Sequence, residues 1–209
     1  LLGVDNNAPA LETFVKNHKG SKAFNGDLSA KGTFEKIDEL IGHQQVDVIV
    51  GGPPCQGFSL TGRRQFDDDR NKLYLAMIET VKRFKPKAFL IENVPGMATL
   101  YKGEVKDEII KRFTKMGYNV SCKILCAADY GVPQLRKRLV FVGLLGKDEK
   151  FEFPKPTHNE TNYITCEQAI GDLPSLENEL GAEISSYIEK PLNEYQKMMR
   201  GKNNILYNH

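Results

Sequence analysis

Residues 46–59 read Val-Asp-Val-Ile-Val-Gly-Gly-Pro-Pro-Cys-Gln-Gly-Phe-Ser. The short apolar run Val46–Val50, rich in β-branched residues, predicts a buried strand. It breaks into Gly51-Gly52-Pro53-Pro54. The two glycines permit close backbone approach, and the two prolines stiffen the chain ahead of Cys55. The thiol is then presented rigidly at the rim of a sheet. A thiol is a strong nucleophile only as thiolate, so it wants positive charge or backbone N–H groups nearby. Taken alone, the stretch also reads as a tight turn holding an incidental cysteine.

The flanking sequence alternates strand and helix. Leu1–Asp5 predicts a strand ending in an acid. Asn7 can cap a helix with Pro9 in its first turn, Leu11, Phe14, Val15 and His18 at helical spacing, and Gly20 as its stop. Phe34, Ile37, Leu40 and Ile41 mark a second helix. Tyr74, Met77, Ile78, Val81 and Phe84 mark a third within 71–84, and Val105, Ile109, Phe113 and Met116 a fourth. Ala88–Ile91, Val120–Leu125 and Leu139–Leu145 predict further strands. This order predicts an α/β fold, a parallel sheet with helices on both faces. Such sheets bind ligands beyond the carboxyl ends of their strands. Three of those ends carry Asp5, Gly51–Cys55 and Glu92-Asn93.

Glu92 follows four apolar residues, where burial can raise a carboxyl pKa and suit it to hydrogen-bond a ring nitrogen. A carboxylate paired to a neighbouring lysine or arginine is the alternative. Gln134-Leu135-Arg136-Lys137-Arg138 precedes the last strand. Alternation puts Arg136 and Arg138 on one face, suited to a phosphate or a carbonyl oxygen. A basic strand entrance facing solvent is the alternative there.

Charge is unevenly spread. Residues 51–150 hold 19 Lys/Arg against 11 Asp/Glu, whereas 1–50 hold 5 against 7 and 151–209 hold 5 against 9. A polyanion would meet the middle of the chain, although a mixed solvated surface gives the same count. No apolar stretch approaches the ~20 residues that span a bilayer. Cys122, Cys126 and Cys166 read as small buried hydrophobes, and with scattered histidines they give no zinc spacing, so no metal site is expected.

A Pro-Pro-Cys-Gln nucleophile, then Glu-Asn-Val at 92–94, then Gln-x-Arg-x-Arg at 134–138, in this order on strand ends, resembles the C5-cytosine DNA methyltransferases. The resemblance implies a Rossmann-like, S-adenosylmethionine-dependent methyltransferase sheet. It gives Cys55 the addition to C6 of cytosine and Glu92 the contact to N3 and the exocyclic amine. Arg136 and Arg138 would hold the flipped nucleotide and its phosphates. On the cofactor side it implies Asp5 at the ribose hydroxyls, Asp27 at the adenine amine, and Asn6, Leu28, Pro53 and Leu73 around them. Asn6 stands where the family often has a bulkier residue. Gln56, Ser59, Arg63 and Arg64 would meet DNA through a loop that closes on it. Gly57 fits the bacterial DNA enzymes better than the related transfer-RNA methyltransferases, which more often have Pro there. A transfer-RNA cytosine methyltransferase, or a fragment that binds DNA without activity, are the alternatives.

The resemblance also implies a Phe-x-Gly-x-Gly turn and a central first strand upstream of Leu1, and a target-recognition region beyond the chain. The start at Leu1, without Met, is therefore expected to be a boundary within a longer enzyme. Residues 1–150 are expected to form a partial catalytic core. Residues 151–209 are expected to be a linker, through Phe153-Pro154-Lys155-Pro156-Thr157, leading towards target recognition. Double-stranded DNA, a cognate restriction endonuclease acting at the same site, and a bacterial cytoplasm are the implied partners and setting.

Overall fold

The computed structural model describes residues 1–53, 72–146, 150–176, 180–200 and 204–207. Its contacts divide the chain into two compact units, one of Leu1–Ile124 with Arg138–Phe153 and one of Leu125–Lys137 with Pro154–His209. Leu125–Lys137 thus groups with the C-terminal unit.

The first unit opens with β1 (Leu2–Asp5), α1 (Ala8–Asn17), β2 (Lys22–Asn25) and α2 (Thr33–Ile41). Asn7 caps α1, its side chain accepting the Ala10 N–H at 3.0 Å, with Pro9 in the first turn as expected. Strand β2 was not expected: its Lys-Ala-Phe-Asn has neither alternation nor a β-branched residue. Parallel pairing with β1, in the register Leu2↔Lys22 to Asp5↔Asn25, creates it.

Then follow β3 (Val48–Gly51), α3 (Lys72–Phe84), β4 (Ala88–Asn93), α4 (Glu104–Lys115), β5 (Tyr118–Cys126) and β6 (Lys137–Leu145). Strands β3 to β6 form a four-stranded sheet in the order β3-β4-β6-β5, separate from β1-β2. The α/β class holds, but the expected parallel sheet is mixed, because β4 runs parallel to β3 and antiparallel to β6. Periodicity reveals that a strand exists, not its direction. Residues 127–136, between β5 and β6, are also too few for the crossover that parallel neighbours need.

The core lies where α3 and α4 cover one face of this sheet. Tyr74, Met77, Ile78 and Val81 of α3 meet Phe89 and Ile91 of β4, Ile109 and Phe113 of α4, and Phe141 of β6. In β4 the buried residues are Phe89, Ile91 and Asn93, the period of two of a strand packed on one side. The Phe89 ring lies 4.2 Å from that of Phe113 and 5.2 Å from that of Tyr118, centroid to centroid. Gly143, paired with Phe89 across the ladder, makes room for that ring: a Cβ there would lie 2.1 Å from it. Val48 and Val50, on the opposite face of β3, are exposed.

In the second unit, α5 (Cys166–Ile170) starts at the expected capping box, with Thr165 and Gln168 bonding each other's backbone N–H. β7 (Ile184–Ser186) and β8 (Ile205–Tyr207) pair antiparallel, and α6 (Glu194–Arg200) lies between them in sequence. Arg200 is this unit's anchor. Its side chain is 8% exposed, pairs with Asp172 at 2.5 Å, donates to the Glu189 carbonyl at 2.7 Å and stacks on the Tyr187 ring.

Among the described cysteines, Cys126 is buried and Cys122 partly so, with burial pushing the Cys122 thiol up to about 11. Cys166 is exposed, contrary to the expectation that all three are buried. Its place in the solvated first turn of α5 explains this. No described helix is long and apolar enough to cross a membrane. No group of three or more potential metal ligands occurs among the described residues.

Two measurements check this packing. Gly143→Ala is expected to cost about 1–3 kcal/mol in denaturant unfolding, because the ring of Phe89 has nowhere to move; a change under about 0.5 kcal/mol would contradict it. In the folded protein at pH 8, a maleimide is expected to modify Cys166 quickly and Cys122 only on unfolding. Equal rates at the two would show that Cys122 is not sheltered.

Candidate active site

The site grows from the pairing of β3 with β4. Their parallel register, Val48↔Ala88 through Gly51↔Ile91, makes both strands end at the same level. The chain leaving β3 as Gly52-Pro53 therefore runs beside Glu92-Asn93. Gly52 has no side chain, and a Cβ on it would lie 3.4 Å from Glu92 Oε2, so the carboxylate rests over this glycine.

Strand β6 supplies the partner. It crosses β4 antiparallel with Glu92 opposite Val140 and Asn93 opposite Leu139. Alternation puts Arg138 on the face of Val140 and so on that of Glu92, at a diagonal position. Arg138 Nε lies 2.5 Å from Glu92 Oε1. The side chains are 25% and 41% exposed. Glu92 is thus not the buried carboxyl expected from its four apolar predecessors. Those residues alternate between two faces, and Glu92 falls on the more open one. The ion-pair alternative is realised, with Arg138 as the cation, inside the same set of motif residues.

Asn93 points to the other face and is 4% exposed. Its Nδ2 donates to the Pro53 carbonyl at 2.9 Å, and its Oδ1 accepts the Val94 N–H at 2.8 Å. Sequence reading did not single it out as a site residue. The signal was there: a polar residue continues the buried series Phe89, Ile91.

Arg136 is exposed and precedes the first residue of β6, so it does not share strand alternation with Arg138; it groups with the second unit. Cys55, Gln56, Ser59, Arg63 and Arg64 lie outside the described residues. Leu73 lies on α3, with its side chain outside them.

Asp5 is the last residue of β1 and Asp27 follows the carboxyl end of its parallel neighbour β2, the two turns tied by the Gly26 N–H donating to the Asp5 carbonyl at 2.9 Å. Asp5 Oδ1 accepts the Asn7 N–H at 2.8 Å; Asp27 Oδ1 accepts the backbone N–H and hydroxyl of Ser29, each at 2.7 Å. Both carboxylates are exposed, as is Asn6. Leu28 is half-buried and lines an open cleft of about 390 Å³ with Phe34, Leu75 and Ile78.

The description C-5 cytosine-specific DNA methylase matches residues 1–208. The chain is 39% identical over its whole length to the type II methyltransferase M.DdeI of Desulfomicrobium norvegicum, covering 51% of that protein. It is 41% identical to M1.HphI of Haemophilus parahaemolyticus, over 84% of this chain and 47% of that one. It therefore spans about half the length of these relatives. Among solved structures, a protein described as a DNA modification methyltransferase encoded within an E. coli prophage superposes with a TM-score of 0.74 at 25% identity, covering 99% of this chain and 63% of that one. The motif order, the family match over residues 1–208 and these likenesses agree: the chain belongs to the C-5 cytosine-specific DNA methylase family.

Proposed function

We propose that the protein is a DNA (cytosine-5) methyltransferase that modifies a cytosine flipped out of duplex DNA by way of a covalent bond between Cys55 and C6. The observation that carries this reading is the junction at Gly52: the chain leading to Cys55 passes directly under the carboxylate of Glu92, which Arg138 holds.

The chemistry needs such a pair. Cytosine C5 is a poor nucleophile. The Cys55 thiolate adds to C6, and the C5=C6 electron pair moves towards C5, leaving an enamine-like ring. Glu92 meets the N3 edge and exocyclic amine, which orients the ring and favours addition. C5 then attacks the transferable methyl, forming a carbon–carbon bond. Loss of the C5 proton to a base returns the electrons and expels the thiolate from C6. In a duplex, stacking covers the ring face that the thiolate must approach and pairing occupies N3, so the base must leave the helix.

S-adenosylmethionine, when bound, supplies an electrophilic methyl on a sulfonium and leaves as the thioether. The described residues fit it. Asp5 and Asp27 are hydrogen-bond acceptors at adjacent parallel strand ends, where a ribose and an adenine amine need acceptors. Asn6, Leu28, Pro53 and Leu73 complete that side. Gln56, Ser59, Arg63, Arg64 and Arg136 are assigned to DNA by their motif positions. A restriction endonuclease that cuts the same sequence is the partner this activity implies.

In the full-length protein, labelled methyl is expected to pass to duplex DNA and not to transfer RNA. Cys55→Ser is expected to lower transfer on the order of a thousandfold or more. Transfer by Cys55→Ser near the normal rate would overturn the covalent route, and a preference for transfer RNA would reassign the substrate. The Glu92–Arg138 pair is built for orientation more than stability. A double-mutant cycle with Glu92→Gln and Arg138→Gln is expected to give a coupling in unfolding free energy under about 1 kcal/mol, shrinking with salt. A salt-independent coupling of about 3 kcal/mol would assign the pair to the core instead.

A further inference from the structure

We propose that Asn93 is a positioning residue for the transfer: its buried amide fixes the Pro53 carbonyl, and through it the approach of the chain that carries the nucleophile two residues later. This rests on the reading that Cys55 is that nucleophile.

The geometry is specific. Asn93 is the last residue of β4, and it is nearly fully buried. A buried primary amide must satisfy both its N–H donors and its carbonyl acceptor. One donor goes to Pro53 O and the acceptor takes Val94 N–H, so the side chain bridges two backbones that leave the sheet together. The backbone ladder of β3 and β4 ends at Gly51↔Ile91. Beyond it the Asn93–Pro53 bond is a cross-strand tie carried by a side chain. Proline has no N–H to continue a ladder, but its carbonyl remains an acceptor, and Asn93 uses it.

The same short segment sets two orientations. Glu92 reaches the open face, over Gly52 and against Arg138, while Asn93 reaches the buried face and holds Pro53. One strand end thereby holds both the Glu92 carboxylate and the Pro53 carbonyl. A displacement of about 1 Å at such a site can cost on the order of a hundredfold in rate.

Asn93→Asp tests this in the full-length protein. It keeps the shape and the acceptor for Val94 N–H but loses the donor to Pro53 O. Asn93→Ser, smaller and too short to reach, is the companion. Thermal unfolding and DNA affinity establish that each variant is folded. The readouts are kcat, KM for duplex DNA and for S-adenosylmethionine, and exchange of the cytosine C5 proton with solvent without methyl donor, which reports addition at C6 alone. The expected result is a fall in kcat on the order of a hundredfold, a parallel fall in exchange, and both KM values within about threefold of wild type. A kcat within about threefold of wild type, a loss confined to KM, unaltered exchange, or failure of both variants to fold would each overturn it. The wild-type control separates the two levels. An inactive wild type, without transfer or exchange on duplex DNA, would overturn the proposed function itself and the inference with it. An active wild type with unimpaired variants overturns only the role of Asn93.

Discussion

The parallel pairing of β3 with β4 is the constraint on which the site depends. Its register ends both strands at one level and brings Gly52-Pro53 beside Glu92-Asn93. A slip of one residue would invert β4 and exchange the faces of Glu92 and Asn93. The register is held by burial, because Phe89 and Ile91 have one face on which to pack and are fully enclosed there. The core under α3 and α4 therefore does more than stabilise the sheet. It decides which way the catalytic-motif residues point.

The two faces of β4 divide the labour. The face of Phe89, Ile91 and Asn93 is anchored by packing and, at its end, by a hydrogen-bonded amide. The face of Glu92 is more open and polar, and there the carboxylate meets Arg138. An ion pair this exposed adds little to stability. Its value lies in geometry, since an arginine guanidinium presents its donors in a fixed fork and limits how a carboxylate can turn. Losing the amide of Asn93 would take away the donor to the Pro53 carbonyl and the acceptor of the Val94 N–H, two part-buried hydrogen bonds each worth about 1 kcal/mol. The buried face is thus tied by packing and hydrogen bonds, and the open face carries the ion pair.

Much of this was legible from residues alone. The apolar runs at 46–50, 88–91 and 139–145 located three strands of the main sheet, and helical spacing located α1 to α4. Glu92 and Arg138 were picked out by their place at strand ends. What escaped has a physical cause in each case. Strand β2 has no pattern of its own and exists through pairing with β1. The direction of β6 is a property of the connection, not of the strand. The exposure of Glu92 followed from which face of β4 it occupied, and four apolar neighbours conceal that. Asn93 reads as a motif letter until burial shows that it belongs to the core face.

β1 and β2 make one small sheet, and β3 to β6 make another. The carboxylates of Asp5 and Asp27 belong to the first, and Glu92 with Arg138 to the second. Methyl donor and target base would thus be addressed from different strand ends within one unit.

The most direct test of the central claim is mass spectrometry of the full-length protein after reaction with S-adenosylmethionine and a duplex carrying 5-fluorocytosine at its target site. Fluorine at C5 cannot leave as the proton does, so the bond to C6 persists. The expected result is a covalent protein–DNA species whose attachment maps to Cys55. Efficient methylation of the ordinary duplex with no trapped species, or a trapped species mapped to another residue, would contradict it.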